Sequence, residues 1–345
     1  MSLTETLVEL IDIPSVTGDE EEITTALEFR LSGRCPTRRI GNSLIVGEPT
    51  GKPLIALYGH TDTVPVQDND KANVKDDRVY GLGASDMKAG LAVMVHLLED
   101  DGVGAGPHDV VAVFYDKEEG PLADNGLEAV LDTAGWLADA DFSIVLEPTD
   151  LHLEMGCNGV MNADVLFHGH AAHSARPWLG ENAITKAGAW LAEMHGREPE
   201  AFDVEGLEYR EVFSVTTGRG GIAHNILPST FRLNLNYRFP PVFDLAEAED
   251  RLLAVTAAAD DVIVTDRAPA GLIPHGNPHL DRLETLVGEK HAKQGWTDVA
   301  RLTTRGIPAV NYGPGEVAQA HQVTESIPVG HLDLAFDTMR RFLVA

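Results

Sequence analysis

Two histidines and three carboxylates stand where apolar runs end: His60 after LIALYG, Asp86 in GLGASDMKAG, Glu119 in FYDKEEG, Glu147 in IVLEPT, and His321 in GEVAQAHQVTE beyond AVNYG. Ligands of open α/β sheets gather at the carboxyl ends of strands. Any one of these residues alone is an ordinary polar strand end. Five of them, each after its own apolar run, make the donor set for two divalent zinc ions that share a bridging carboxylate. Asp86, with its short fixed side chain, is the candidate bridge, although Ser85 or Asp86 could instead N-cap the helix that follows. In His60-x-Asp62 the carboxylate can accept the second ring N–H of the imidazole and fix its tautomer. The plainer alternative is that Asp62 caps the turn TDTVP. Glu118 and Glu119 are adjacent, so on an extended end they diverge: one can ligate metal while the other moves a proton, unless the pair is simply solvated.

Further along, His173 in GHAAHSARPW is either structural or, if the second domain dimerises, an oxyanion donor to a partner's site. Arg176, Asn225 in IAHNILP and Arg238 in NYRFPP are candidate binders of carboxylates and carbonyls, the arginines through their bidentate fork. Gly313 and Gly315 are candidates to offer backbone N–H groups to a substrate carboxylate. The Gly-rich TGRGG lacks GxGxxG context and follows no crossover unit, so it does not read as a phosphate loop.

These residues need a scaffold. Apolar positions at helical spacing over Leu3 to Leu10 and Glu20 to Leu31 predict two helices around Gly18. Apolar runs at Leu54 to Tyr58, Val110 to Tyr115 and Phe142 to Leu146, separated by helical patterns at Met87 to Leu98 and Leu127 to Val130, predict an α/β fold with a mostly parallel sheet and helices on both faces. The helix from Met87 is apolar almost all round, which places it deep in the domain. After Cys157 the order becomes β-α-β-β-α-β: strands at 161–167, 211–217, 230–239 and 262–265, helices at 181–195 and 245–259. That is a ferredoxin-like α+β unit. A sheet edge at Thr230 to Phe239 could pair with another subunit. Helix 280–293 and a strand near Pro308 to Tyr312 then resume the first domain. The expected organisation is residues 1–157 and 268–345 in one domain, with 158–267 inserted.

Composition narrows the function. At 345 residues, 43% apolar and 23% charged, the chain has the profile of a folded two-domain protein. Its 54 acids outnumber 26 bases, and a net charge of -28 repels a nucleic-acid backbone. The longest strongly apolar stretch, Leu91 to Leu98, is far short of the roughly 20 residues of a membrane span. The N-terminus has early acids and no basic n-region, so a cytoplasmic location is expected. Cys35 and Cys157 are too few for a disulfide framework and read as reduced thiols.

HTDTVP, GLGASDMKAG, DKEEG, LEPT, GHAAHSARPWLGENAI, AHNILPSTFRLNLNYRF, GWTDVARL, PAVNYGPGE and AHQVTE together resemble the dizinc aminoacylase and carboxypeptidase family, over nearly the whole chain. The resemblance implies two Zn2+ per subunit, with Co2+ an alternative occupant. His60 and Glu147 would hold one ion, Glu119 and His321 the other, and Asp86 would bridge, leaving Glu118 as general acid/base. It also implies a homodimer formed by the inserted domain, with His173 reaching the neighbouring subunit's site. HSARPWLGENA, GWTDVARL and NYGPGE are most similar to the actinobacterial desuccinylase branch, which implies release of succinate from N-succinyl-LL-2,6-diaminopimelate. The same chemistry on acetylornithine, another N-acyl amino acid or a dipeptide is the alternative. A metal-stabilised binding protein without turnover would have no use for Glu118.

Overall fold

The computed structural model describes residues 1–345. Helix α1 (Leu3–Asp12) buries Leu3, Leu7, Leu10 and Ile11 along one stripe. It starts at Ser2, whose hydroxyl accepts the Glu5 amide while the Glu5 carboxylate accepts the Ser2 amide. The chain continues through α2 (Glu21–Leu31), β1 (Thr37–Ile40), β2 (Ser43–Val46), β3 (Leu54–His60), β4 (Asn73–Lys75), β5 (Arg78–Tyr80), α3 (Lys88–Glu99), α4 (Asp101–Gly104), β6 (Asp109–Tyr115), α5 (Gly126–Thr133), β7 (Phe142–Val145) and β8 (Leu153–Met155). There follow β9 (Gly159–His168), α6 (Ala183–Lys186), α7 (Gly188–Gly196), β10 (Glu200–Val204), β11 (Leu207–Gly220), β12 (Thr230–Phe239), α8 (Leu245–Val255) and β13 (Asp261–Ala268). The last elements are α9 (Pro278–Val287), β14 (Lys290–Ala292), α10 (Val299–Thr304), β15 (Ala309–Asn311), β16 (Ser326–Pro328) and α11 (Val329–Leu343). The chain divides into two compact units: unit 1 is Met1–Gly156, Leu272–His291 and Thr297–Ala345, and unit 2 is Cys157–Gly271 with Ala292–Trp296.

Unit 1 is built on an eight-stranded sheet in the order β1-β2-β6-β3-β7-β15-β8-β14. Its centre is parallel, β6 on β3, β3 on β7 and β7 on β15, while β2 and β8 run antiparallel to β6 and β15. Every residue of β3 is buried, as a parallel strand covered on both faces requires. The two-residue period divides the contacts. Ala56 and Tyr58 of β3 pack with Leu127 and Val130 of α5 and Val299 and Leu302 of α10. On the other face a Cβ at Gly59 would meet Leu91 and Met94 of α3 at 2.6 and 3.0 Å. The expectation of a deep helix at Met87 to Leu98 holds: α3 buries Ala89 to Val95 without a break. A small sheet, β16-β5-β4, stands apart. Cys35 is half-buried and Cys157 buried, and no disulfide joins them. No helix is long and apolar enough to cross a membrane.

Unit 2 carries a five-stranded antiparallel sheet in the order β10-β11-β12-β9-β13. Met161, Ala163, Val165 and Phe167 of β9 alternate inward with Leu233, Leu235, Tyr237 and Phe239 of β12 against Trp190 of α7 and Leu252 of α8. Removing β10 leaves the ferredoxin-like strand order. That order corrects one expectation. β12 is not a sheet edge, because β11 and β9 pair with its two sides; the edges are β10 and β13. Three helices also differ from expectation. The helix at 181–195 is two, α6 capped by Asn182 and α7 beginning after Ala187. α8 ends at Val255, whose carbonyl accepts the Trp190 indole N–H. α9 ends at Val287; the next residue, Gly288, takes the positive φ of 84° that favours glycine, and the chain then turns into β14. TGRGG lies largely within β11 as paired strand.

Candidate metal centre

His60 is the last residue of β3, and its ring is 1% exposed. Its Nδ1–H donates to the Asp62 carbonyl at 3.0 Å, which leaves the Nε2 lone pair to face inward. This modifies the expected role of Asp62, whose carboxylate is 3.5 Å from Nδ1 and makes its close bonds elsewhere. It accepts the amides of Glu118 at 2.9 Å and Glu119 at 3.0 Å, and the Thr17 hydroxyl at 2.9 Å. Asp62 therefore sets the backbone that carries the glutamate pair.

Asp86 lies between the two imidazoles. Its Oδ1 is 3.2 Å from His60 Nε2 and its Oδ2 is 3.4 Å from His321 Nε2, so each oxygen addresses a different ring. Glu147, just past β7, brings Oε1 to 3.8 Å from His60 Nε2, and Glu119 brings Oε1 to 2.9 Å from His321 Nε2. Two donor triads result, His60 with Asp86 and Glu147, and Asp86 with Glu119 and His321; His60, Glu118 and Glu119 form a third close group. All five expected donors and Glu118 thus meet in unit 1. Asp86 is not a helix cap, since α3 starts at Lys88.

Acidic charge dominates the site. Burial alone would lower the His60 pKa, yet Asp62 and Asp86 hold its imidazole well above the ordinary value. His321 is pushed up to about 10 by hydrogen bonds to Asp86 and Glu119. Burial works against ionising Asp86, but His321 and His60 keep it well below the usual carboxylate range. Glu118 goes the other way: burial first, then the charges of Glu147, Asp298 and Glu119, push its carboxyl well up, while His60 opposes. Imidazoles drawn toward the cationic form by a ring of carboxylates mark a place suited to positive charge.

Glu325 is the main contributor not singled out in the sequence. Its carboxylate accepts the amides of Gly83, Ser85 and Asp86 at 2.8, 2.8 and 2.9 Å and so fixes the turn that presents Asp86. Burial pushes it up to about 7 even though those amides pull it down. The acid is visible in AHQVTE, but nothing local says that it folds back on residues 83–86. Asp298, fully buried and bonded to Asn125 and Arg301, is a second one.

Gly313 departs from the expected role. The Gly313 amide donates to Thr149 Oγ1 at 3.1 Å, so it is committed to the loop and not offered to a substrate. A Cβ at Gly313 would lie 2.3 Å from the Glu147 carbonyl, and one at Gly315 2.3 Å from the Ser85 carbonyl. Both glycines let the loop press against the backbone that carries two of the donors.

In unit 2, His173, Arg176 and Asn225 share one pair of exposed loops: the Ser174 amide donates to the Asn225 carbonyl and the Arg176 amide to the His173 carbonyl, at 2.9 and 2.8 Å. His173 Nδ1 accepts the Ala175 amide at 3.1 Å, so in the neutral ring Nε2 carries the proton. Arg238 lies near the opposite end of β12 from Thr230, eight residues or about 26 Å along the strand. Its Nε donates to Asn236.

Comparison with known proteins places this geometry. Residues 56–345 match the model of peptidase family M20/M25/M40. A protein of Mycobacterium tuberculosis provisionally assigned as succinyl-diaminopimelate desuccinylase DapE is 39% identical over 342 residues, covering 97% of this chain and 96% of that one. The succinyl-diaminopimelate desuccinylase of Corynebacterium glutamicum is 35% identical over 349 residues, covering 97% and 94%. Among solved structures, aminopeptidase PepT from Bacillus cereus shares the fold with a TM-score of 0.79 at 22% identity, over 99% of this chain and 97% of that one. By family match and by near full-length likeness, the chain belongs to peptidase family M20/M25/M40.

Proposed function

We propose that this metal-dependent amidohydrolase removes succinate from N-succinyl-LL-2,6-diaminopimelate and releases LL-2,6-diaminopimelate for lysine and diaminopimelate biosynthesis. The observation that carries the substrate is the likeness to two desuccinylases over 97% of the chain. The donor set fits two cations: His60, Glu147 and Asp86 would hold one Zn2+, and Glu119, His321 and Asp86 the other, with Co2+ able to replace either. Bound there, the ions supply Lewis-acid polarisation of the amide carbonyl and acidify the attacking water.

The chain's own groups do the rest. Glu118, whose carboxyl burial and the neighbouring acids push well up, takes the proton of the attacking water and gives it to the departing amine nitrogen. Asp62 holds the Glu118 and Glu119 amides in place and touches no substrate. In a homodimer formed through unit 2, His173 of the neighbouring subunit donates Nε2–H to the oxyanion developing on the carbonyl. Arg176 and Asn225, on the same loops, bind substrate carboxylate and carbonyl groups, with Arg238 and Gly315 as further contacts. The reading makes it a cytoplasmic enzyme.

The test is amine release from N-succinyl-LL-2,6-diaminopimelate and from N-acetylornithine by zinc-reconstituted protein, with and without chelator. Chelator-sensitive turnover that favours the succinyl compound is expected. A preference for the acetyl compound would keep the dizinc chemistry and overturn the pathway.

A further inference from the structure

Unit 1 gathers a second set of imidazoles and carboxylate that the chemistry above does not use. Glu289 and His291 are two residues apart at β14, so the strand period puts both side chains on one face. β8 is the neighbour of β14, and the Leu153 amide donates to the Glu289 carbonyl at 3.0 Å. That register brings His152, the residue before β8, against the pair. His152 Nδ1 is 3.5 Å from Glu289 Oε2 and His291 Nε2 is 3.1 Å from Glu289 Oε1, so each carboxylate oxygen faces a different ring. The two ring centroids are 4.5 Å apart, and one donor atom from each residue falls within 4.8 Å of the other two.

We propose that His152, Glu289 and His291 form an additional site for a divalent transition-metal ion, of which Zn2+ is the reference case. Ligands about 2.1 Å from a tetrahedral ion are about 3.4 Å from one another, a spacing that lies between the two separations to the carboxylate. Two imidazoles and one carboxylate select such an ion over Ca2+ or Mg2+, which take oxygen ligands. The side chains are 36%, 65% and 47% exposed, so an ion arrives from solution and water completes its coordination. The bound ion ties β8 to β14, the two strands from which the chain leaves unit 1 after Gly156 and after His291. An ion held only by the paired strands stabilises the folded state by mass action.

Zinc-loaded enzyme is dialysed against metal-buffered Zn2+ alone and zinc per chain is counted by mass spectrometry. Wild type is expected to hold one ion more than His152→Gln or His291→Gln, both variants keeping wild-type turnover. Their melting temperatures should match wild type in chelator and fall below it in free zinc. Equal zinc counts would overturn the site. Because a surface variant can also misfold, a second measurement uses wild type only: Cu2+ added to the zinc-loaded enzyme should give an electron paramagnetic resonance spectrum with coupling to two imidazole nitrogens. A spectrum without nitrogen coupling overturns the proposal as well.

Discussion

Asp62 bonds chiefly to backbone, and this decides what its removal does. Its two carboxylate oxygens accept the amides of Glu118 and Glu119 separately. Asparagine has one acceptor oxygen, so Asp62→Asn leaves one of those amides unpaired and frees the glutamates to shift. The expected outcome is a fall in kcat of about 10²-fold with a smaller loss of metal, read by steady-state rates beside zinc content. Glu118→Gln is the sharper case. It keeps the shape of the side chain and removes its basicity, so turnover should drop by about 10³-fold or more while both metals stay bound. Survival of more than a few per cent of activity would assign the proton to another group. Among the candidate donors His60, Glu119 and Glu147 were legible because they follow β3, β6 and β7, apolar parallel strands that end at the same side of one sheet. Asp86 and His321 stand in loops, and only their motifs pointed to them. The duty of Asp62 was not legible, because its partners' backbone sits at the end of a different strand and no spacing in the sequence records that contact.

At the scale of elements, legibility followed burial. β3, β6 and β7 read as continuous apolar runs because both faces are covered. The three-residue strands β4, β8 and β14 are too short and mixed to show a period, and β10 is mostly exposed. The interior place of β12 was equally hidden: alternation along one strand says which face is covered and nothing about which strands lie beside it. How a strand is entered can matter as much as its core. Asp109 opens β6, and its carboxylate accepts the amides of Thr50, Gly51 and Lys52 and the Thr50 hydroxyl. Although burial opposes it, those bonds hold Asp109 below the usual carboxylate range. Asp109→Ala should cost about 1–3 kcal/mol in urea denaturation at neutral pH, since three amides lose their acceptor. A lowered folded-state pKa contributes stability above the unfolded value and loses it as pH falls through the folded one, so the gap between variant and wild type should close in acid. A gap independent of pH would assign the cost to packing instead.

On the scale of the whole molecule, the reading that His173 serves a neighbouring subunit can be tested without any structure of the assembly. Glu118→Gln and His173→Ala chains are each expected to be nearly inactive as homodimers. A mixed dimer contains one site with both Glu118 and His173 if His173 crosses, and none if it acts within its own chain. Mixing the two after reversible dissociation should therefore restore activity in the first case; unchanged inactivity places His173 elsewhere. The insertion of unit 2 also has a consequence for how the protein is made. β7 is parallel to β15, yet residues 309–311 leave the ribosome only after the whole of Cys157–Gly271 has done so. Until then the edge of β7 has no partner, and Asp86 and Glu147 wait for His321 to complete the acidic cluster. A nascent chain stalled between residues 147 and 309 would thus expose a sticky strand beside uncompensated carboxylates, and translation speed across unit 2 becomes a determinant of yield.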